Sequence, residues 1–394
     1  MRVLFISDVY FPRVNGVSTS IRSFRGDLAA CGVETRLIAP DYDTAQSGYE
    51  SNLVRITSAR VPRDPEDRRM RWYALQRTLA EMRHESFDLV HIHTPFIAHY
   101  AGVRFARRMG IPCIATYHTF FAEYLHHYVP ILPRPAGRWL ARAFTRSQCN
   151  DVDALVAPSD PMRDALKEYG VTTPIHIVPT GLPADRFKPG DGARFRAQQG
   201  LPPDRPLLVY VGRVAHEKNI DFLVRMFPAV LRDMPAAILV IAGEGPARES
   251  LEQQVRESGL GQSVHFVGYL DRDTSLLDCY AAADVFVFAS RTETQGLVLL
   301  EAMAQGAPVV STAMMGTRSI LVGDCGAVIA AEQTQEFAAA VSRLLNDRQL
   351  RQALSEQGRR YAQTWSSQLM ARRMAALYTE LTGITAPCTI ASAY

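Results

Sequence analysis

Short apolar runs alternate with longer segments of helical periodicity along most of the chain. The runs are rich in Val, Ile, Leu and Phe, and the segments between them place apolar residues at every third or fourth position. This order favours a parallel sheet that is covered by helices on both faces. The predicted strands are residues 3–6, 34–39, 89–93, 113–117, 154–157, 176–178, 207–212, 237–242, 264–267, 283–290 and 308–311.

The alternation lapses once, in a stretch rich in Pro, Gly and Asp between residues 181 and 206. A chain of 394 residues also exceeds what one hydrophobic core usually serves, so two domains are expected. We predict an α/β fold of two doubly wound, Rossmann-like domains that face each other across a cleft. The predicted parts are a first domain at 1–185, a linker at 186–205, a second domain at 206–365, a C-terminal helix at 366–383 that could pack back on the first domain, and a tail at 384–394.

Composition and charge narrow the class of protein. Hydrophobic residues make up 47% of the chain and charged residues 21%, and no apolar run approaches the roughly 20 residues that a membrane span requires. Six scattered cysteines without paired spacing indicate a reducing compartment and no cysteine metal site, so we expect a cytoplasmic protein. A formal net charge of +3 gives no reason to expect a nucleic-acid partner.

Two carboxylates follow the predicted strand 283–290. Glu293 lies in the strand-to-helix loop and Glu301 lies eight residues later in the helix, with Gly296 between them. In an open α/β sheet this loop is where ligands bind. The helix start offers backbone N–H groups to a phosphate or sugar oxygen, and Gly296 allows close approach. Glu301 is then suited to accept hydrogen bonds from a diol.

Two cations follow the predicted strand 207–212. Arg213 and Lys218 lie five residues apart in a strand-to-helix loop, and Lys218 is one of only three lysines in the chain. Two cations beside a helix start suit a diphosphate and would stabilise the negative charge on a leaving group. The alternative, two solvated surface cations, stays open on this motif alone.

The first predicted strand is followed by a loop that contains Asn15-Gly16. This dipeptide predicts a turn with positive φ before a helix start. The loop lacks the glycine-rich pattern of a dinucleotide fingerprint or a P-loop, which argues against NAD or ATP. His91 and His93 share a face of one strand, but no third ligand is spaced to join them, so we expect no metal site.

Taken in their order along the chain, these loops resemble those of the retaining glycosyltransferases of family 4, which have the two-domain GT-B architecture. The resemblance covers most of the chain, to about residue 380. The Glu-x7-Glu motif of that family corresponds to Glu293 and Glu301, and its histidine beside the donor sugar corresponds to His118. The resemblance implies a sugar nucleotide as donor, a first domain that binds the acceptor and a second that binds the donor. It implies no metal and no other cofactor in catalysis.

The resemblance also implies a role for each motif residue. Glu301 would bind the ribose hydroxyls, and the Gly16 loop would close over the diphosphate. The donor sugar would be held by Glu293 and by the backbone of Thr294, Gln295, Gly296, Leu297 and Val298. The predicted catalytic residues are His118, Arg213, Lys218 and Glu293.

Three sequence segments indicate the chemical class of the acceptor. Gln295 stands before the glycine where the family usually has an aromatic or small residue, and the resulting Glu-Thr-Gln-Gly is similar to the version in bacterial diacylglycerol glucosyltransferases. The segments 93–96 and 117–128 are similar to theirs as well. The resemblance therefore implies a membrane lipid as acceptor.

A basic helix is predicted after residue 133. Its arginines recur at every fourth position, with Leu140 and Phe144 opposite and Trp139 at the flank. The helix is suited to lie on an anionic membrane surface, or it is an ordinary amphipathic helix whose apolar face packs into the domain. The candidate membrane and acceptor residues are Arg134, Arg138, Trp139, Arg142 and Arg146.

We predict a peripheral membrane enzyme at the inner face of the cell membrane. It would transfer a hexose, glucose from UDP-glucose, to a lipid hydroxyl such as that of diacylglycerol, with retention at the anomeric carbon. One alternative is a GDP-mannose-dependent transferase that acts on a phosphoinositide or another glycolipid. A second is a non-catalytic module that binds nucleotide sugars or membranes. The oligomeric state does not follow from the sequence.

Overall fold

The structure, a computed structural model, describes residues 1–42, 50, 52–61, 64–118 and 134–386. The chain divides into two compact units. Unit 1 comprises Met1–Gly181 and Ser367–Tyr394, and unit 2 comprises Leu182–Ser366.

The described strands of unit 1 form one parallel sheet and one antiparallel pair. Their bounds are β1 Arg2–Ile6, β2 Glu34–Pro40, β3 Leu53–Ile56, β4 Ser58–Val61, β5 Asp64–Met70, β6 Leu89–Ile92, β7 Cys113–Thr116, β8 Ala154–Ala157 and β9 Ile175–Ile177. The parallel sheet has the order β3-β2-β1-β6-β7-β8-β9. Strands β6 and β8 are buried along their whole length, as expected for strands with helices on both faces.

Strands β3, β4 and β5 have no counterpart in the sequence prediction. The antiparallel pair of β4 and β5 carries the sequences SARV and DPEDRRM, which show neither an apolar run nor an apolar alternation. Part of what holds this pair to unit 1 is polar, because Arg13 in the loop after β1 lies 3.3 Å from the Asp67 carboxylate. Periodicity cannot detect strands of this kind.

Helices cover the parallel sheet of unit 1. Those before the unit boundary are α1 Gly16–Leu28, α2 Trp72–Glu81, α3 Ile97–Met109, α4 Arg134–Cys149 and α5 Asp160–Glu168. Helix α1 begins at Gly16 because the Asn15 side chain accepts a hydrogen bond from the Ser18 amide at 2.9 Å, which is an N-cap. The prediction of a positive-φ turn here was wrong, since Asn15 has φ −154°. Asn capped a helix instead of entering a left-handed turn.

Unit 2 contains a second parallel sheet. Its described strands are β10 Leu207–Val211, β11 Ile238–Ala242, β12 Val264–Gly268, β13 Val285–Phe288, β14 Val309–Ser311 and β15 Ala327–Ile329. Their order is β12-β11-β10-β13-β14-β15. The helices are α6 Gly192–Gln198, α7 Ile220–Asp233, α8 Arg248–Glu257, α9 Ser275–Ala282, α10 Leu297–Ala304, α11 Thr317–Ile320, α12 Thr334–Asn346 and α13 Arg348–Gln363. The predicted fold class of two doubly wound α/β units is confirmed.

The segment 186–205, predicted as a linker, is instead part of unit 2. Helix α6 lies inside it and packs against α9, with Phe195 fully buried. Arg194 Nε donates to the Asp278 carboxylate at 2.6 Å. Gly190 is there for close packing, because a methyl group on it would lie 2.3 Å from the Leu277 carbonyl oxygen. In this segment glycine marks a tight contact, where the sequence suggested a flexible connection.

The helix that follows unit 2 in the chain belongs to unit 1. Helix α14, Ser367–Thr382, packs against α1. Its residues Met370, Met374 and Tyr378 are almost fully buried in the same hydrophobic core as Val3 and Phe5 of β1. The core of unit 1 is therefore assembled from two segments that are far apart in the chain.

Each sheet has one point where the strand order changes direction. In unit 1 this point lies between β1 and β6, and in unit 2 it lies between β10 and β13. The loops that leave the carboxyl ends of two such strands diverge to opposite sides, which opens a crevice for ligands. In unit 2 these are the loops that carry Arg213, Lys218 and Glu293.

Candidate active site

The charged residues of unit 2 meet at its switch point. The Lys218 ammonium, in the loop after β10, contacts the Glu293 carboxylate in the loop after β13. The two side chains are 18% and 17% exposed, so the pair is shielded from bulk water but reachable by a ligand. The structure thus brings together two residues that the sequence places 75 positions apart.

Two hydrogen bonds of neighbouring residues hold these two loops together. Asn219 Nδ2 donates to the Ala289 carbonyl at 3.0 Å, and Thr292 Oγ1 donates to the Glu217 carbonyl at 3.4 Å. Asn219 is also left-handed, with φ 56°, a conformation that Asn tolerates better than most residues. Because the backbone is fixed on both sides, the side chains of Lys218 and Glu293 start from a defined geometry.

Arg213 is the exposed member of the group. Its side chain is 59% exposed, and its guanidinium lies 3.7 Å from Glu217. The backbone is anchored, since the buried Tyr210 hydroxyl donates to the Arg213 carbonyl at 3.3 Å. A guanidinium on an anchored backbone and with weak side-chain pairing is available to an anion.

Gly296 shapes the start of α10. It precedes the first helical residue with φ 94° and, as a glycine, has no side chain of its own with which to cap the helix. The backbone of Thr294 is packed against a neighbouring loop, because a methyl group on Gly316 would lie 2.0 Å from the Thr294 carbonyl oxygen. Gln295 is buried, whereas Leu297 and Val298 open the helix. The helix start therefore presents backbone N–H groups on a rigid loop.

Glu301 lies in α10 and is only 4% exposed. Its Oε2 accepts a hydrogen bond from the Tyr280 hydroxyl at 2.9 Å, and its Oε1 accepts one from Arg272 Nη2 at 2.8 Å. The Nε of Arg272 is buried without a partner among the described residues. The Arg272 guanidinium is therefore incompletely paired, although it neutralises the Glu301 carboxylate.

Arg272 and Tyr280 are functional candidates that sequence reasoning missed. Arg272 follows β12 and Tyr280 lies in α9, so their meeting with Glu301 depends on how three elements pack. The sequence contained one indication of a role for Arg272, because this residue also follows the carboxyl end of a strand in a parallel sheet.

The switch point of unit 1 is closed by its own hydrogen bonds. Asp8, after β1, accepts from Thr94 Oγ1 at 2.8 Å and from the Ala98 amide at 3.1 Å. In return, the Asp8 amide donates to Thr94 Oγ1 at 2.7 Å. Burial raises the pKa of the Asp8 carboxyl to about 6. Asp8 thus joins the two loops and caps α3, which is a structural role.

Three histidines form a stack beside this switch point. The rings of His91 and His93 are stacked with centroids 4.1 Å apart, and those of His93 and His118 are nearly parallel at 5.7 Å. His93 Nδ1 lies 3.4 Å from His118 Nε2. Burial lowers the pKa of His118 to about 4 and the pKa values of His91 and His93 well below the usual value. All three rings are neutral at physiological pH.

Gly16, the other predicted donor residue of unit 1, is the first residue of α1. A methyl group on it would meet no atom of the described residues within 4 Å. Packing within unit 1 therefore does not require a glycine at this position.

Helix α4 turns its large apolar residues outward. Trp139, Leu140 and Phe144 are 70%, 47% and 37% exposed. Its inner face is small or polar and consists of Gly137, Ala141, Thr145, Gln148 and Cys149. The interpretation in which the apolar face packs into the domain is wrong for Trp139, Leu140 and Phe144.

The arginines of α4 are described only in part. Arg142 and Arg146 are exposed, and the Arg142 guanidinium lies 5.1 Å from the centre of the Tyr169 ring. The side chains of Arg134 and Arg138 lie outside the described residues, as does most of the 117–128 motif. The described part of α4 thus combines exposed cations with exposed aromatic and aliphatic side chains.

Comparison with known proteins decides the family. The family described as Glycosyltransferase Family 4 matches residues 14–186, and Glycosyl transferases group 1 matches residues 191–361. The alpha-monoglucosyldiacylglycerol synthase of Streptococcus pneumoniae is 33% identical over 320 residues, which cover 79% of this chain and 71% of that protein. The chain belongs to the GT-B glycosyltransferases of group 1 and family 4. It is an enzyme of that family, as the motif resemblance predicted.

Two further comparisons extend over nearly the whole glycosyltransferase. The GDP-mannose-dependent alpha-mannosyltransferase of Mycobacterium tuberculosis is 28% identical over 371 residues, 93% of each chain. The sucrose-phosphate synthase of Thermosynechococcus elongatus has a TM-score of 0.79 at 24% identity, covering 97% of this chain and 99% of that one. The second likeness shows a shared fold. No helix in the described ranges combines the length and the apolar character that crossing a membrane demands.

Proposed function

We propose that the enzyme transfers glucose from UDP-glucose to a lipid hydroxyl such as that of diacylglycerol, with retention at the anomeric carbon. The main support for a lipid acceptor is the exposure of Trp139, Leu140 and Phe144 on α4. The similarity to a protein named alpha-monoglucosyldiacylglycerol synthase supports the same acceptor class and the sugar.

The donor diphosphate is assigned to the cations at the switch point of unit 2. Arg213 and Lys218 would neutralise it, so donor binding would require no metal ion. A diphosphate would compete with Glu293 for the Lys218 ammonium, since Glu293 and Lys218 are in contact. Glu293 would then accept a hydrogen bond from a sugar hydroxyl. The backbone of 294–298 would hold the rest of the sugar, and His118 and Gly16 keep the roles expected from the resemblance.

The ribose of the donor is assigned to Glu301. The Tyr280 hydroxyl holds Oε2 in place, and the incompletely paired Arg272 holds Oε1. Each carboxylate oxygen can accept more than one hydrogen bond, so a diol would donate to Glu301 beside the Arg272 guanidinium. The buried carboxylate thus stays paired whether the donor is bound or absent, which avoids the cost of an unpaired buried charge.

The proposed reaction is a front-face displacement. The bond between the anomeric carbon and the diphosphate oxygen breaks, and the acceptor oxygen bonds to the same face of the sugar. The acceptor proton passes to the departing diphosphate, so no protein carboxylate is needed as a base. Arg213 and Lys218 would stabilise the charge that develops on the leaving group.

The acceptor would be reached by peripheral binding to the inner face of the cell membrane. Exposed aromatic and aliphatic side chains can enter the interfacial region, while Arg142 and Arg146 attract anionic lipids. Each such cation contributes about 1 kcal/mol near an anionic surface. The apolar contacts add to this in proportion to the area they bury.

Vesicle co-sedimentation tests the membrane surface. We expect the wild type to prefer vesicles of phosphatidylglycerol with phosphatidylcholine over phosphatidylcholine alone. The double change Trp139→Ser and Phe144→Ser should weaken binding about tenfold or more, because two apolar side chains no longer leave water. Tyr73→Ser is the matched control, since Tyr73 is 88% exposed on α2. Equal binding by the double variant and the wild type would remove α4 as the membrane surface.

Product analysis tests donor and acceptor together. The full chain is incubated with labelled UDP-glucose, UDP-galactose or GDP-mannose and with diacylglycerol or phosphatidylinositol, and the lipid products are identified by mass. We expect a hexosyl-diacylglycerol from UDP-glucose. A mannosylated phosphatidylinositol would establish the alternative transferase, which the similarity to a GDP-mannose-dependent mannosyltransferase keeps open. No product from any pair, with retained nucleotide binding, would mean that the acceptor belongs to another chemical class.

A further inference from the structure

The histidine stack of unit 1 contains one hydrogen bond between two neutral rings. His93 Nδ1 and His118 Nε2 are 3.4 Å apart, so one nitrogen carries the proton and the other accepts it. The distance alone does not say which. The surroundings of His93 decide between the two tautomers.

The other ring nitrogen of His93 is buried without a partner. His93 is 2% exposed, and its Nε2 has no hydrogen-bond partner among the described residues. A buried N–H without an acceptor is rarer in proteins than a buried acceptor without a donor. His93 therefore keeps its proton on Nδ1 and leaves a lone pair on Nε2.

This choice determines the tautomer of His118. If His93 Nδ1–H donates, His118 Nε2 accepts, and the single proton of the neutral His118 ring must sit on Nδ1. We propose that His93 is a positioning residue that holds His118 as the Nδ1–H tautomer, so that His118 meets its ligand as a hydrogen-bond donor. An oxygen acceptor such as a sugar hydroxyl is the matching ligand group. The identity of that ligand rests on the proposed function, whereas the tautomer does not.

Contacts on the far side of the stack fix the ring of His91. Its Nδ1 lies 2.6 Å from the Tyr378 hydroxyl of α14, and its Nε2 lies 2.6 Å from Thr116 Oγ1. Both ring nitrogens of His91 are thus occupied. The His93 ring stacks on His91 at 4.1 Å, so the donor nitrogen of His93 is aimed by a neighbour that cannot rotate freely.

Nitrogen NMR of the donor-free, full-length chain tests the tautomer directly. With 15N-labelled histidine, two-bond proton–nitrogen correlations distinguish Nδ1–H from Nε2–H rings, and His118→Gln identifies the His118 signals. We expect Nδ1–H in the wild type. An Nε2–H ring at His118 in the wild type overturns the proposal without any variant.

Two variants test the cause. His93→Phe keeps a stacked ring but has no N–H, so we expect His118 to shift toward Nε2–H. His93→Asn places an amide near the former Nδ1 and should restore Nδ1–H. With UDP-glucose as donor, His93→Phe should lower kcat about tenfold with little change in KM, and His93→Asn should recover most of it. An unchanged His118 spectrum in folded His93→Phe contradicts the proposal.

Two further variants separate this effect from general loosening. Tyr378→Phe removes the hydroxyl on His91 and should lower Tm without changing the tautomer of His118. His176→Phe removes a partly buried histidine from β9 and should change neither. If Tyr378→Phe shifts His118 as far as His93→Phe does, the His93 N–H is not the cause. If Nδ1–H is found but no labelled donor yields product, the proposed function fails while the tautomer assignment stands.

Discussion

The two units have switch points of the same topology and opposite character. In unit 1 the crevice between β1 and β6 is closed by the mutual hydrogen bonds of Asp8 and Thr94, and neutral histidines lie beside it. In unit 2 the crevice between β10 and β13 holds a cation and a carboxylate that remain partly exposed. The same fold thus supplies one site that is already satisfied by its own groups and one whose charges can exchange partners. Topology selects the location, and side-chain chemistry decides which crevice is poised for a charged ligand.

The largest expected effect is a fall in kcat when a charged residue at the switch point of unit 2 is removed. Lys218→Ala should lower kcat for transfer from UDP-glucose by about 10²–10³, because a cation that stabilises the leaving group is lost. Steady-state kinetics measure it. Lys167→Ala, at an exposed position of α5, is the matched control and should behave as wild type. A Lys218→Ala enzyme with normal kcat would remove this loop from the chemistry.

A smaller effect is expected deeper in the same unit. Glu301→Gln should weaken binding of UDP about tenfold, since hydrogen bonds to a charged acceptor exceed those to a neutral amide by roughly 1.5 kcal/mol. Calorimetric titration gives the dissociation constant. Glu336→Gln, whose carboxylate bonds the Ala331 amide in unit 2, should leave UDP binding unchanged. Equal affinities of Glu301→Gln and the wild type would separate Glu301 from the nucleotide.

Substitutions at Gly316 and Gly16 distinguish an effect on stability from an effect on ligand binding. Gly316→Ala should destabilise unit 2 by about 1–3 kcal/mol, because its methyl group would overlap the Thr294 carbonyl. Gly16→Ala should leave Tm unchanged or slightly higher, since that methyl group would meet no described atom within 4 Å and alanine favours a helix. Thermal unfolding measures both. A raised KM for UDP-glucose in Gly16→Ala, without loss of Tm, would assign Gly16 to ligand approach.

The smallest expected effect is an acid sensitivity of unit 1. Burial lowers the pKa of His118 to about 4. Between about pH 6.5 and pH 4, His118 is therefore protonated in the unfolded chain and neutral in the folded protein. Stability is therefore lost as the pH falls from 6.5 toward 4. The raised pKa of Asp8, about 6, acts in the opposite direction.

A matched variant isolates the histidine contribution. The fall in Tm between pH 7 and pH 5 should be a few degrees smaller in His118→Gln than in the wild type, while the Asp8 contribution is common to both. Identical pH dependence of the two proteins would mean that His118 titrates normally in the folded state.

Much of the fold follows from local pattern. Strands buried on both faces, such as β6 and β8, must be continuously apolar, and such runs can be read from the sequence. The charged strand β5 has no such pattern and was missed. The segment 186–205 was misassigned because Gly190 serves a close backbone contact, which has the same composition as a flexible turn.

Those residues of the site that lie in loops directly after predicted strands could be identified from the sequence. Lys218 and Glu293 each follow a strand of the same sheet, so their proximity could be anticipated from the βα order. Arg272 could not be paired with Glu301 from the sequence, because their contact depends on how a loop and two helices pack. The sequence left two alternatives open for α4, a membrane-facing and an inward-packing apolar face, since periodicity separates two faces of a helix without telling which one is covered.

The membership of α14 in unit 1 bears on how the chain is made. A ribosome must synthesise all of Leu182–Ser366 before Ser367–Thr382 can emerge. Until then the nascent first unit lacks Met370, Met374 and Tyr378, and the surface that they cover on α1 and β1 is exposed. Unit 2, which is continuous in the chain, can complete its core first. The first unit in sequence is thus the last to be finished, and in the meantime its open core is a natural client for chaperones.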